Sequence, residues 1–347
     1  MLGSARRVLE AAAPDIEFHD ALIGGAALDA WKEANPQEEI ERGDPLPLTT
    51  RRAVKASNAV LLGPVGGEKW ETDDPRDPKP ETAVRTLQKT LNVHAFLQPV
   101  RFFNGLPDIS PLDDGRDENV DFVIVHTLGG VYDGPKGQRG ETVYDVSEYS
   151  PSQIERLGRT GFELARMRSG ELRPPRLASF DKANVMEVSK EWQEVMNRLH
   201  SEEYPDVELK HMLVDSAQME LIKNPGQFDV IVSENMFGNI SSGVAAKLIN
   251  SALVPSGWIN DKGRGIYTPR VMPEPEGMQH VVNPIPVILA GAMALEYSLD
   301  MPDEAGRIRW AINETFKQGL RTPDLGGDTS AEQITDAIVE NLSAVTA

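Results

Sequence analysis

Glu234–Asn235–Met236–Phe237–Gly238–Asn239–Ile240–Ser241–Ser242–Gly243–Val244–Ala245–Ala246 follows almost directly on Phe228–Asp229–Val230–Ile231–Val232. The earlier run is short, apolar and β-branched, which predicts a buried strand leading into the later segment of small and amide side chains. Similar units lie on both sides of it. Residues 3–13 read as a helix, Ile16–His19 as a strand, and Ala59–Leu62 as a buried strand ending in the turn-forming Gly63–Pro64–Val65–Gly66–Gly67. Phe122–Val125 is a further strand run, Ser152–Arg168 has helical spacing at Ile154, Leu157, Phe162 and Leu164, and Val185–Leu199 is an amphipathic helix. An irregular, proline-rich run, Tyr267–Pro286, precedes helices at Val287–Leu299 and Ala305–Gln318, with Gly319 as a helix stop. Strands alternating with helices predict an α/β fold. Two charged, proline-containing segments, Trp31–Asp44 and Glu71–Pro80, are expected to be inserted surface loops.

Composition narrows the partners. The 347 residues, 40% of them hydrophobic, are enough for two ordinary domains or one large α/β unit. Fifty-four acidic against 35 basic residues leave a formal charge of −19, which opposes nucleic acid and anionic membrane and points to a small-molecule partner. With no cysteine there is no disulfide, thiolate metal site or cysteine nucleophile. No apolar run reaches the roughly 18 residues of a membrane span, and Arg6, Arg7, Glu10 and Asp15 leave no room for a signal-peptide core. The expected location is the cytoplasm.

Several long blocks, in order along nearly the whole chain, resemble the 3-isopropylmalate dehydrogenases of the β-decarboxylating dehydrogenase family. Leu22–Ile23–Gly24–Gly25–Ala26–Ala27–Leu28–Asp29–Ala30 is similar to L-I-G-G-A-A-x-D-A, and Ala59–Gly67 to A-V-L-L-G-A-V-G-G. Asp181–Lys182–Ala183–Asn184–Val185 resembles D-K-A-N-V, the stretch from Tyr204–Pro205 to Met219 resembles Y-P-x-V…V-D-x-A-x-M, and Arg321–Leu325 is close to R-T-G-D-L. The opening stretch, Glu234–Ala246, resembles E-N-x-F-G-D-I-x-S-D-E-A. The resemblance implies a two-domain α/β subunit with a large, twelve-stranded mixed sheet and an inter-domain cleft. One domain would comprise residues 1–94 plus 248–347, and the other residues 95–247 with the dimer contact. It also implies a homodimer with shared sites, in which Lys182 and Asp215 reach into the partner's cleft to meet Tyr132.

The departures from the family pattern fall on its chemistry. Asn239 and Gly243 stand where the family has two metal-holding aspartates, and a hard divalent cation needs anionic oxygens that an amide and a hydrogen atom do not supply. Gln88, Gln98 and Val125 occupy the positions of three arginines that grip a dianionic malate, since a guanidinium fork matches a carboxylate and a neutral side chain does not. His126 replaces a carboxylate. The family's adenosine-binding loop aligns with Arg270–Met278, where Pro273 and Pro275 remove backbone donors. Glu81, Asn184 and Asp324 remain at positions that touch the cofactor in relatives, so residual NAD binding stays open while no cofactor is expected. Relatives also open with an apolar strand and G-D-G-I-G-P-E, whereas Met1–Leu2–Gly3–Ser4 already lies in the following helix. Either the sheet is rebuilt, with help from a dimer partner, or the reading frame is incomplete.

What remains is a Tyr132–Lys182 pair, with Asp215 holding the lysine and His126 nearby, lined by Asn184, Asn235 and Asn239. A partly desolvated lysine serves as a base and a phenol as an acid or hydrogen-bond donor. The leading expectation is a repurposed non-redox, metal-free enzyme of small-molecule biosynthesis. It would promote isomerisation, cyclisation or cycloaddition of a ligand more apolar and less anionic than isopropylmalate. Two alternatives stand beside it: a catalytically silent binding or regulatory homologue, and a divergent NAD-dependent dehydrogenase of the isopropylmalate type. The bland reading makes Tyr132 a packing residue, Lys182 a fold-retaining charge, and the asparagines caps.

Overall fold

The computed structural model describes residues 1–35, 43–71, 74, 77–112, 120–171, 173–269 and 282–345. Two units divide the chain. The first contains Met1–Val93, Gly257–Thr315 and Leu320–Ala347, and the second His94–Ser256 with Phe316–Gly319.

The first unit is built from helices α1 (Leu2–Ala12), α2 (Gly25–Ala34), α3 (Leu48–Ala56), α4 (Thr82–Leu91), α9 (Ile285–Ser298), most of α10 (Pro302–Lys317) and α11 (Ala331–Val345). Its strands are β1 (Ala59–Leu61) and β10 (Gly265–Pro269), paired in parallel, with most of β9 (Pro255–Ile259). Helix α9 reads Ile285-Pro-Val-Ile-Leu-Ala-Gly-Ala-Met-Ala-Leu295 before its first charge, and every residue from Val287 to Leu295 is buried. A helix apolar all round belongs at the centre of a unit. Helices α1 and α11 pack together, and α1 also packs on α9.

The second unit carries strands β2 (Ala95–Arg101), β3 (Asp121–Thr127), β6 (Arg176–Asp181), β7 (Glu208–Leu213) and β8 (Val230–Ser233) in the order β2-β3-β8-β6-β7, with only the β2–β3 pair antiparallel. Together with β1-β10-β9 these are the eight strands of a mixed sheet. A separate hairpin pairs β4 (Lys136–Arg139) with β5 (Thr142–Asp145). Helices α5 (Pro151–Met167), α6 (Glu187–Glu203), α7 (Val214–Lys223) and α8 (Asn235–Leu248) complete the unit. Helix α5 starts at a capping box. The Ser150 hydroxyl accepts the Gln153 N–H, the Gln153 side chain accepts the Ser150 N–H at 2.8 Å, and Pro151 fills the first turn. The buried Trp192 of α6 ties that helix to β6 through an indole N–H donated to the Ser179 hydroxyl at 2.9 Å.

Four expectations need correction. Ile16–His19 is not a strand: among the described residues no strand pairs with it, and Glu17 and His19 turn outward, His19 lying 3.5 Å from Glu17. Trp31–Ala34 is not loop but the last turn of α2, closed by the Asn35 N–H bonded to the Trp31 and Lys32 carbonyls. Tyr267–Pro269 is strand rather than irregular chain, because Ile266 and Tyr267 find buried places beside β1. The sheet has eight strands among the described residues rather than twelve: Ile16–His19 stays unpaired, and β4 and β5 close on each other as a separate hairpin. Residues 36–42 of the expected first loop, much of 71–80 and the Arg270–Met278 loop lie outside the described residues.

Candidate active site

Strand β8 delivers the chain to Glu234, from which α8 begins. The Glu234 carboxylate does not cap the helix. It is buried, accepts the Ser189 hydroxyl of α6, and lies near the equally buried Asp181 at the end of β6. Burial pushes the Glu234 carboxyl up to about 7 and the Asp181 charge adds to the rise, against the pull of Ser189. Asp181 is itself held by the Ala183 N–H at 2.9 Å and the Gln193 amide at 2.8 Å. Two buried carboxyls thus immediately precede Lys182 and Asn235 along the chain.

Asn235 ties the first turn of α8 to the chain that follows β3. Its side-chain amide donates to the Gly129 carbonyl at 2.9 Å, and its backbone N–H donates to the Tyr149 hydroxyl at 3.1 Å. Burial pushes the Tyr149 phenol up to about 12, so it is a neutral hydroxyl at working pH. The same hydroxyl occupies the space a Cβ on Gly130 would need, and Gly130 has φ +64°, so only glycine suits this turn. Gly130–Tyr132 forms a single 3₁₀ turn that leaves Tyr132 about half exposed. One turn into α8, the Asn239 amide donates to the Asn235 side-chain oxygen at 2.8 Å and to its backbone carbonyl at 3.2 Å. The two asparagines therefore clasp each other.

Lys182, on the turn after β6, donates to Asp215 at the start of α7 at 2.6 Å, and this bond draws the Asp215 carboxyl below its ordinary range. Asn184 is exposed on the same turn. The other expected residues sit differently. His126 is interior: its ring stacks on Phe96 with centroids 4.5 Å apart, Nδ1 donates to the Thr127 carbonyl at 2.8 Å, and α8 presses on it where Gly238 has no Cβ. Gln98 and Val125 are both fully buried, and the Gln98 amide donates to the Ser242 carbonyl of α8 at 2.9 Å. In the first unit, Gln88 is half-buried on α4, Glu81 is exposed at the start of that helix, and Asp324 lies in a 3₁₀ turn, Pro323–Leu325. Sequence reasoning missed Tyr149 and the Glu234–Ser189–Asp181 group. The signal for Glu234 was present, a charge set between the apolar Val230–Ile231–Val232 run and a helix face of small residues.

The family model for isocitrate/isopropylmalate dehydrogenase matches residues 1–340. The chain belongs to the isocitrate/isopropylmalate dehydrogenase family. Among its relatives is a 3-isopropylmalate dehydrogenase of Zymomonas mobilis, 40% identical over 339 residues, 95% of this chain and 92% of the relative. Another is the 3-isopropylmalate dehydrogenase of Bacillus subtilis, 39% identical over 357 residues, 99% of this chain and 93% of the relative. Similar solved structures include isocitrate dehydrogenase from Methylococcus capsulatus, with a TM-score of 0.75, 27% identity, and coverage of 98% of this chain and 95% of that one. A β-decarboxylating dehydrogenase from Thermococcus kodakarensis has a TM-score of 0.77, 25% identity, and coverage of 99% and 92%.

This family membership corrects the leading expectation. Relatives about 40% identical over almost their whole length are dehydrogenases, which overturns the non-redox isomerase or cyclase reading and the expectation that the chain is not an NAD-dependent dehydrogenase. The physical reason lies in what the replaced side chains do. Arginines and metal-holding aspartates grip and polarise a substrate, whereas hydride loss needs a proton acceptor at the hydroxyl and a hydride acceptor at the carbon. Among the described residues, no helix is long and apolar enough to cross a membrane.

The fold family implies a nicotinamide cofactor and a divalent ion, and the residues present suit them unequally. In the first unit, Asn283 donates to one oxygen of Asp324 at 2.9 Å, while the other oxygen and the Thr322 hydroxyl are buried without a partner among the described residues. Buried acceptors in that state call for a donor, as a ribose or adenine group offers. The metal position does not fit. No group of three or more His, Cys, Asp or Glu is placed to hold a metal among the described residues.

Proposed function

We propose that the chain is an NAD-linked dehydrogenase of a small 2-hydroxy acid, of the β-decarboxylating type and working as a homodimer. The observation that carries this reading is the match at about 40% identity to 3-isopropylmalate dehydrogenases, spanning more than nine-tenths of both chains. Asp324 with Thr322, and Glu81, would hold the dinucleotide, whose nicotinamide ring accepts a hydride when bound. Lys182 spends one of its three N–H groups on Asp215 and turns the others to the substrate hydroxyl. As hydride leaves the carbon, Lys182 gives the proton it shares with Asp215 to that carboxylate and takes the hydroxyl proton in its place, and the Tyr132 phenol, becoming phenolate, returns a proton to the product carbon after carboxylate loss. With the half-buried Gln88 at one arginine position, and the interior Gln98 and Val125 presenting no cation at the other two, the substrate is less anionic and more apolar than isopropylmalate.

Calorimetric titration with NAD⁺ is expected to saturate, and a panel of 2-hydroxy acids of graded charge to yield NADH, fastest for the less anionic members. Lys182→Met is expected to lower kcat on the order of 10²-fold with KM little changed. Absence of NAD⁺ binding by the folded protein overturns the proposal.

A second copy of the chain is the partner that suits the exposed apolar side chains of the second unit. Met219 and Ile222 on α7 and Ile240 on α8 are 70%, 51% and 54% exposed, and Val143 and Tyr144 stand out on the β4–β5 hairpin. Apolar surface gathered on adjacent helices belongs to an interface. Ile240→Glu is expected to shift the species seen by light scattering from dimer to monomer, and an unchanged dimer would remove α8 from the interface.

A further inference from the structure

The cation position of the fold family falls on α8 at Asn239 and Gly243, and α7, which packs against α8, carries Asp215, so that these three residues decide the charge there. Asn239 is neutral and spends its amide on Asn235, at 2.8 Å and 3.2 Å. Gly243 offers no side-chain atom, and a Cβ added there would meet nothing within 4 Å. Asp215 is the one carboxylate of the three, and the Lys182 ammonium already neutralises it at 2.6 Å. Close by along α8, the Gln218 amide donates to the Ser241 hydroxyl at 2.7 Å, a neutral contact between neutral groups. A hard dication requires several anionic or carbonyl oxygens at near-octahedral positions and gives up its water reluctantly. Here the summed charge of Asn239, Gly243, Asp215 and Lys182 is zero. A dication entering this place would meet the ammonium of Lys182, and the carboxylate beside it, Asp215, is already paired with that ammonium.

We infer that this member of the family holds no divalent cation at residues 215, 239 and 243, and that the absence of two carboxylates is what keeps the cation out. The Asn235–Asn239 clasp takes the structural place of a ligand cage by fixing the first turn of α8 to the Gly129 carbonyl. The Lys182 ammonium supplies the positive charge that a substrate oxygen would meet. This inference concerns binding, so it stands apart from the proposed reaction and survives if the substrate class is wrong.

The open space at Gly243 makes the test constructive. Asn239→Asp keeps the shape of the side chain, and Gly243→Asp enters a helical position with room for it while removing a helix-weakening glycine. Mn²⁺ is titrated calorimetrically, and its effect on the thermal midpoint is read, for the wild type, the Gly243→Asp single variant and the Asn239→Asp/Gly243→Asp double variant. Circular dichroism establishes that each is folded. The expected result is no saturable heat and no midpoint shift for the wild type, and Mn²⁺ binding at least tenfold tighter, reversed by EDTA, for the double variant. The single variant is expected to fall between them and provides the reading if the double variant does not fold. Stoichiometric Mn²⁺ binding by the wild type that Asp215→Asn abolishes would overturn the inference. A folded double variant indifferent to Mn²⁺ would overturn the assignment of these two positions.

Discussion

Asp229→Ala is expected to destabilise the second unit by about 3–5 kcal/mol, the cost of removing one partner from a buried ion pair. Asp229 is wholly buried just before β8, and one carboxylate oxygen accepts from Arg168 at 2.7 Å and from Arg173. Arg168 is itself almost buried, with a side chain 7% exposed. Both arginines also bind Asp121 at the start of β3, at 3.0 and 3.2 Å, where Arg101 joins them. Removing Asp229 takes from the buried Arg168 guanidinium its fully buried carboxylate partner. Urea denaturation checks the loss. Adding Arg168→Met to Asp229→Ala is expected to recover part of it, because the charge left over is then removed as well. An additive double variant would mean that the pair does not act as a unit. Asp121 extends the argument to acid. Burial raises its carboxyl, but Arg101, Arg168 and Arg173 outweigh that and hold it well below the carboxylate range. Its contribution is present above the unfolded value of about 3.9, and is lost only as pH falls through the lower folded value.

Glu234→Gln is expected to change how stability responds to pH. The folded carboxyl titrates at about 7, above its ordinary 4.5, so between those values the folded state holds a proton that the unfolded chain has released. The stabilising contribution is therefore complete below the unfolded value and disappears as pH rises through 7. Over that window it amounts to about 3 kcal/mol, an order-of-magnitude figure at 1.36 kcal/mol per unit. Glutamine accepts the Ser189 hydroxyl equally well and does not ionise. Wild type and variant are expected to match near pH 4.5, and the variant to be the more stable at pH 8. Parallel pH profiles in urea denaturation would refute a protonated Glu234 in the fold.

Elements with an uninterrupted signal were legible in the sequence. Residues 3–13, Ala59–Leu62, Phe122–Val125 and Ser152–Arg168 lie within a residue or two of α1, β1, β3 and α5, because burial of an apolar stripe or run dictates both pattern and structure. Strand β2 was not legible. Pro99 interrupts it with a residue that cannot donate to a ladder, yet the strand pairs on through Pro99 opposite Val123. Strands β6 and β7 mix charge with apolar residues, Arg176 and Asp181 in one and Glu208 and Lys210 in the other, so periodicity did not separate them from loop.

At the site, family position carried Lys182 with Asp215, and the fold brings that pair together, whereas Asn235 and Asn239 were read only as lining residues and their clasp was not. Position alone misled for Gln98, Val125 and His126. These lie on strands buried on both faces, where an unbroken apolar run such as Phe122–Val125 already implied interior rather than pocket. Tyr149 was illegible because its hydrogen bond and its contact with Gly130 join segments 86 and 19 residues apart, separations that no local pattern reports.

Gln98 has a consequence for how this protein can be altered. Its side chain is sealed inside the second unit, where its amide donates to the Ser242 carbonyl of α8. An arginine introduced there would bring five N–H donors and a fixed charge to a wholly buried place that now holds a neutral amide. Gln98→Arg would be tolerated only in a chain where α8 had already acquired a carboxylate nearby, while that carboxylate without its arginine would be equally unwelcome. Each step is costly alone and acceptable only in company, so any path toward a more anionic ligand must change strand and helix together.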